Sequence, residues 1–318
     1  MVEKTLERLQ ALRRTMTDYA TAPPEIDWVV QDTIERGAVV VIYGDSGIGK
    51  TWLALHLVGC IASGSAWFGY EVHGKHNVAW LDGENGEDSM HRRAHAVMHA
   101  DENVNFYSLP NITCSEEGLA VMGAFVESTG TEVLVLDPLM YFTDGDENTI
   151  ADMRSQLYGL VNIAKSTGCV VIMVHHENRS GTYRGTSAIK DSSTLMLHMQ
   201  EETPIEGFRN ATKIIPVKRR ESTFNKTTVA WDIQEGRFVA YRIEEARDVY
   251  AGVMVDAVKE LIHRNATLPT TTELRDAKDI HGLSRDHATE ALARAVEDGL
   301  VKVKVGNHNR QTVEIIQW

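Results

Sequence analysis

The eight residues Gly44-Asp45-Ser46-Gly47-Ile48-Gly49-Lys50-Thr51 constrain this chain more than any other segment. They fit G-x-x-x-x-G-K-[ST] and lie between a β-branched apolar run, AVVVIY at 38–43, and a helical run, TWLALHLVGCIA at 51–62. Between a strand and a helix, such glycines let backbone N–H groups converge on a concave nest, and the helix N-terminus adds its positive dipole end. The segment is therefore expected to cradle nucleotide phosphates with Gly44, Asp45, Ser46, Gly47, Ile48, Gly49, Lys50 and Thr51. Lys50 would reach the β- and γ-phosphates and Thr51 would ligate magnesium, so ATP and Mg2+ are the expected cofactors.

The same alternation continues along the chain. Apolar runs NVAWLD (77–82), EVLVLD (132–137) and CVVIMVHH (169–176) are separated by helical patterns, which predicts an α/β fold with a twisted, mainly parallel sheet flanked by helices. Beyond residue 190 the segments shorten to TLMLHM, TKIIPVKR, TTVAWDI and RFVAYRI with little helix between them, and antiparallel strands extending the same sheet are expected. The run ending in Asp137 delivers a carboxylate to the C-terminal edge of a buried strand, where open α/β sheets bind ligands. Asp137 is thus expected to hold a magnesium-bound water beside Thr51. Pro138 follows it, so the carboxylate that orients the attacking water must come from elsewhere, and the loop after NVAWLD offers Asp82 and Glu84. Glu84 is the expected base.

Composition narrows the partners. With 32 Lys+Arg against 45 Asp+Glu the net charge is -13, which argues against a whole-surface grip on nucleic acid and leaves only a local patch. Cys60, Cys114 and Cys169 lack zinc-ligand spacing and read as buried or free thiols of a cytoplasmic protein. No apolar stretch approaches a membrane span, and the start MVEKTLERLQALRR is a charged helical pattern, so no membrane partner is expected. The turn at Ala22-Pro23-Pro24 closes an N-terminal helix of residues 1–22. His91, His95 and His99 recur at helical spacing without a closing pair and are read as a half-exposed helix face rather than a metal site. For Arg92 and Arg93 on the same helix, just after the loop of Glu84, contact with nucleotide or DNA is weighed against a solvated helix face, and the solvated face is favoured.

The motif set PPEIDWVV, GDSGIGKTWLALHLVGCIASGSAWFGYEV, VAWLDGEN, VLVLDPL and VVIMVHHENRSGTYRGTSAIKD, in this order, resembles the RepA-type hexameric replicative helicases of plasmids and phages. These are RecA-like, DnaB-like P-loop ATPases carrying an AAA domain, and the resemblance covers about residues 23–235. It implies a RecA-like core over residues 23–243 and an ATP-driven motor on single-stranded DNA that assembles as a hexameric ring. It also implies that His176 is the polar switch at the γ-phosphate edge and that residues 177–187 line the channel, with Arg179, Tyr183 and Arg184 as DNA contacts. The strand IIPVKRRES resembles the family strand ending in K-x-R, here Lys218 and Arg220, which would complete a neighbour's site, with Arg219 able to shift the register by one. Related sequences also serve as recombination mediators or regulatory ATPases, and that reading stays open.

Residues 244–318 carry a different pattern. A helix to about Arg264, a capping box at Thr270-Thr271-Thr272-Glu273, and a helix from Ser284 that Gly299 closes are followed by LVKVKVG and RQTVEIIQW. Ala288, Ala291, Leu292 and Val296 are expected on the buried face of that last helix, and the whole predicts a small winged-helix domain. Arg285, His287, Lys302, Lys304 and Arg310 are its candidate DNA contacts. From residue 245 onward there are 10 Lys+Arg and 12 Asp+Glu, so contact with a replication or loading protein is as well supported as duplex DNA, and a winged-helix DNA-binding regulator is a third reading.

Overall fold

The computed structural model describes residues 2–20, 22–97, 103–145, 150–178, 183, 187–204, 208–281, 285–306 and 311–316. Helix α1 (Val2–Ala11) is followed by turns through residue 20, so the helical part of the expected 1–22 element is its first half. A short hairpin, β1 (Trp28–Val30) and β2 (Ile34–Glu35), precedes the core. Strands β3 (Val39–Gly44), β4 (Val78–Asp82) and β6 (Val133–Asp137) are buried at every position, as parallel strands covered on both faces must be. Helices α2 (Lys50–Ser63), α3 (Glu87–Val97), α4 (Glu116–Thr129) and α5 (Ile150–Thr167) connect them with β5 (Val104–Ser108) and β7 (Val170–His176).

After α6 (Ser187–Ser192) come β8 (Leu195–Glu202), β9 (Asn210–Arg219), β10 (Thr227–Gln234) and β11 (Arg237–Arg242). The nine strands order as β11-β10-β9-β8-β3-β7-β6-β4-β5. Antiparallel pairing begins only between β8 and β9, because β8 runs parallel to β3. This corrects the expectation that the TLMLHM strand is wholly antiparallel. Helix α6, though only one and a half turns long, is enough of a crossover to bring the chain back in the parallel sense. β5, with alternating half-buried positions at the sheet edge, lacked the apolar run that marked the others.

Alternation along β3 separates two cores. Val40 and Ile42 pack with Leu53, Leu57, Ile61 and Met90 of α2 and α3, while Val39, Val41 and Tyr43 pack with Met122, Val126, Leu157 and Leu160 of α4 and α5. Cys60, Cys114 and Cys169 are free and buried, and burial pushes the Cys114 and Cys169 thiols up to about 12. Among the described residues no helix is long and apolar enough to cross a membrane.

The C-terminal part has a core of its own, built from α7 (Ile243–Asn265), α8 (Thr271–Asp276), α9 (Lys278–His281), α10 (Arg285–Glu297) and the antiparallel pair β12 (Val301–Val305) and β13 (Gln311–Ile315). Thr270 caps α8 with the reciprocal Glu273 bond that the T-x-x-E pattern predicts. On α10 the buried face is Ala288, Ala291, Leu292 and Ala295; Val296 is 40% exposed, one position past the 3.6-residue stripe. Ser284 and Arg310 lie outside the described residues, as does the His287 side chain.

At the edge of the sheet opposite the phosphate loop, Glu132 joins three segments. Its carboxylate accepts from Arg36 Nη1 at 3.3 Å, His76 Nδ1 at 3.1 Å and the Asn77 N–H at 3.1 Å. Burial alone would raise its pKa, but the His76, Asn77 and Arg36 interactions outweigh this and hold the carboxyl below the usual range. A depressed carboxylate pKa gives stability that is present above the unfolded value near 4.3 and lost as pH falls through the folded value. Glu132→Gln should therefore lower the denaturant-unfolding free energy at pH 7 by about 1–3 kcal/mol, and the gap should close below about pH 4.

Candidate functional site

Strand β3 ends at Gly44 and α2 begins at Lys50, so the intervening loop must reverse direction over five residues. Gly49 caps α2 at φ 93°, in the left-handed region, and contributes no side chain to the open N–H groups of the first turn. A Cβ on Gly49 would also lie 2.3 Å from Trp231 Cζ2, so the indole closes the loop from behind and admits only glycine. The first turn of α2 carries no acidic residue, which leaves its positive end available to an anion.

Lys50 is buried, and its Nζ donates to the carbonyls of Gly44 at 3.0 Å and Asp45 at 2.7 Å. Burial pulls its pKa down, opposed by the carboxylates of Asp137, Asp45, Glu177 and Glu84. Asp137, at the end of β6, is buried beside it. Burial pushes its carboxyl up to about 7, Thr51 donates a hydrogen bond that works the other way, and the negative charges of Asp82 and Glu84 raise it further while Arg93 opposes. The Asp137 Oδ2 atom is buried without a hydrogen-bond partner. A hydroxyl, an unpartnered carboxylate oxygen and further carboxylates nearby form a hard-oxygen donor set that suits Mg2+.

Asp82 and Glu84 divide their duties. Asp82 is fully buried, and its oxygens accept from the Asn85 N–H at 3.0 Å, the Asn85 side-chain amide at 3.0 Å and the Gly86 N–H at 2.7 Å. It therefore folds the loop that carries Glu84, whose own side chain is exposed. Along β7 the side chains alternate, so His175 is buried among the apolar residues while His176 turns to the loop side. Glu84, Asp137, Lys50, Thr51 and His176 line one cleft of about 360 Å³ together with Ser46, Gly47, Gly49, Trp52, Asn85 and Arg93.

Of the two readings weighed for Arg93, a solvated face and contact with nucleotide or DNA, its position fits the second: it lines the cleft, with its guanidinium 5.9 Å from the centre of the Trp52 ring, which itself stacks on Phe238 at 5.8 Å. Trp52 and Asn85 also line the cleft and were not singled out from sequence; Trp52 sits one residue past the motif and Asn85 one past Glu84. A second cleft of about 410 Å³ shares Ser46 and Gly47 with the first and is walled by Ile48, Met199, Arg209 and Trp231.

Tyr183 is half-buried and makes a T-shaped contact with Tyr43, ring centroids 5.8 Å apart. Arg179 and Arg184 lie outside the described residues. Lys218 donates to the carbonyls of Lys190 and of Asp191 (2.9 Å), and Arg220 Nη2 donates to Asp191 O at 3.3 Å, so both engage the C-terminal end of α6 in the single chain. Arg219, between them, turns the opposite way to the Phe224 carbonyl at 2.9 Å.

The family described as "AAA domain" matches residues 5–182. Among curated proteins, the DNA repair protein RadA of Brucella abortus is 22% identical over 215 residues, 64% of this chain and 43% of its own length. The DNA repair protein RadA of Pseudomonas aeruginosa is 22% identical over 192 residues, 59% of this chain and 38% of its own length. The chain thus spans about two fifths of the length of these relatives. Among solved structures, a KaiC-like protein from the hyperthermophilic archaeon Pyrococcus horikoshii OT3 superimposes with TM-score 0.50 at 15% identity, covering 69% of this chain and 95% of that one.

A buried carboxyl whose folded pKa is raised weakens the fold progressively as pH rises from the unfolded value near 3.9 to the folded value, here about 7. Asp137→Asn should therefore raise the melting temperature of the nucleotide-free protein at pH 8, and the gain should shrink toward pH 5. Thermal scans of both proteins across that range read the difference directly.

Proposed function

The chain belongs to the AAA-domain family of RecA-like P-loop NTPases, and on that premise we propose that it is an ATP-hydrolysing motor on single-stranded DNA, ring-forming in the manner of the RepA-like replicative helicases. The observation that carries this reading is the convergence of Lys50, Thr51, Glu84, Asp137 and His176 on one cleft of about 360 Å³. Lys50 leaves the Gly44 and Asp45 carbonyls to hold the β- and γ-phosphates, and the open N–H groups around Gly47 and Gly49 cradle the rest. Thr51 and Asp137 would hold magnesium, which supplies neutralisation of the charge that spreads over the transferred phosphoryl group. Glu84, on the loop that Asp82 shapes, orients the attacking water and takes its proton. His176 reads the γ-phosphate edge. The second cleft, walled by Trp231, Ile48 and Met199, suits the flat apolar face of the base.

In the assembled state Lys218 and Arg220 complete the neighbour's site as a trans pair. Arg179 and Arg184 would meet the phosphates of the strand, and Tyr183 would stack on its bases. We assign residues 23–243 to the motor and 244–318 to a winged-helix domain that contacts a replication or loading protein.

A second reading, an ATPase of repair or recombination without unwinding activity, is favoured by the similarity to proteins named for DNA repair. Strand displacement separates the two readings, since only the first requires it.

The first test is steady-state ATP hydrolysis without DNA, with single-stranded DNA and with duplex DNA, using Lys50→Ala as the blank. Strong stimulation by single strands alone is expected, and indifference to single strands sinks the motor reading. Glu84→Gln should trap bound ATP, and normal turnover in that variant excludes Glu84 as the base. Arg220→Ala should bind ATP and assemble but lose hydrolysis by roughly a thousandfold or more, the range of a trans arginine.

A further inference from the structure

Glu177 lies one residue beyond His176, and three contacts fix it: one to β3, one to β8 and one to Tyr183. Its backbone N–H donates to Gly44 O at 3.1 Å, the carbonyl that Lys50 Nζ also reaches at 3.0 Å. Its carboxylate Oε2 accepts from His198 Nε2 at 2.8 Å. On the other ring nitrogen, the Gln200 side-chain amide approaches His198 Nδ1 at 3.4 Å, which assigns the proton to Nε2. Lastly, Glu177 pairs with Tyr183 as an isolated antiparallel bridge.

His198 does more than donate. Its ring lies flat on Tyr43, with centroids 4.4 Å apart and planes 2° apart, and Tyr43 receives the edge of Tyr183 on another side. Tyr43 stands in register with His175 on β7 and with His198 on β8, so the Glu177–His198 bond straddles β3 just where the strand hands over to the phosphate loop. The Glu177 and His198 side chains are 17% and 9% exposed. The backbone of β3 is already paired with β7 on one side and β8 on the other, so the sheet does not need this bond. What the bond fixes is the direction in which the chain leaves the sheet toward Tyr183.

We infer that Glu177 is a positioning residue: its hydrogen bond to His198 ties the state of the His176 edge to the segment that begins at Glu177 and docks through Tyr183. The inference rests on the ATPase reading above. A shift of His176 when the γ-phosphate is lost must displace the next residue, whose amide is held by Gly44 and whose carboxylate is held by β8. That displacement resolves in one of two discrete ways: the Glu177–His198 bond breaks, or Tyr183 leaves the edge of Tyr43. An element with two arrangements, biased by the nucleotide, is what coupling between two sites requires.

The test compares Glu177→Gln, Glu177→Ala and His198→Ala in the full chain. Hydrogen–deuterium exchange of peptides spanning residues 177–187 is measured with ADP and with a hydrolysis-resistant ATP analogue, beside steady-state ATP hydrolysis. Glutamine keeps an oxygen that accepts from His198, and alanine does not. Wild type and Glu177→Gln should exchange differently in the two nucleotide states, whereas Glu177→Ala and His198→Ala should lose that difference. At saturating nucleotide both alanine variants should turn over roughly two- to thirtyfold more slowly, and the double variant should be no worse than either single one. If Glu177→Ala does not fold, Glu177→Leu fills the space and serves in its place. The inference is overturned if wild type shows no nucleotide-dependent exchange, if the alanine variants keep it, or if Glu177→Gln loses it as completely as alanine. Absence of hydrolysis in wild type, with a nucleotide-dependent exchange that Glu177→Ala abolishes, sinks the ATPase reading and leaves the relay standing.

Discussion

Strand β3 is the constraint on which the rest depends. It is buried throughout, paired in parallel on both sides, and its last residue is the first glycine of the phosphate loop. Because both neighbours run in the same direction, the ends of β7 and β8 arrive beside that glycine, and with them His176, Glu177 and His198. Two strands further along, Asp82 and Asp137 stand opposite one another in the β4–β6 register, which sets the loop of Glu84 next to the carboxylate of Asp137. The site is therefore in large part a consequence of strand polarity: most of its groups come from the C-terminal ends of strands and the turns after them, while Lys50, Thr51 and Trp52 stand in the first turn of α2 and Arg93 on α3.

That arrangement is electrostatically costly in the absence of a ligand. Asp137 is desolvated enough to titrate near neutrality and has an oxygen with no partner, while Lys50 spends its donors on two backbone carbonyls. Burying a carboxylate and an ammonium at hydrogen-bond density, with some of their capacity unused, makes sense where phosphate and a cation restore the missing interactions. The Glu132 cluster at the opposite edge of the sheet shows the contrasting case, a carboxylate satisfied by Arg36, His76 and Asn77 within the fold itself.

Much of this was legible in the sequence because it is written in local signals. The glycine spacing, the apolar run closing on Asp137 and the alternation of β7 each need only neighbouring residues, and Thr270 with Glu273 is readable from a single turn. The polarity of β8 was not, because a short apolar run looks the same in either direction and only the crossover through α6 decides it. Arg93 was ranked low for a related reason: on its own helix it falls on a charged stripe, and its aromatic partner is Trp52, forty-one residues earlier on α2. Tyr183 could be seen as an aromatic beside arginines, but its partner Tyr43 lies on β3, and no spacing rule links the two. The Glu177–His198 bond belongs to the same class, a contact made by strand order rather than by sequence proximity.

The segment between β7 and α6 is consequently flanked at both ends by contacts to other strands of the sheet. At its start Glu177 is held by Gly44 and His198, and at its far side α6 ends in carbonyls that Lys218 and Arg220 occupy. For Lys218 and Arg220 to serve a neighbouring subunit, as the proposed ring requires, they must surrender those carbonyls. The end of α6 then loses its charged donors at the moment the neighbour's phosphate gains them. In the proposed ring, one end of the segment would report the chain's own site and the other the site next door, joined through the six-residue helix α6. Such a ring would need no long-range signal between subunits, because the two residues proposed to complete a neighbour's site are the ones that hold the end of α6 in their own chain.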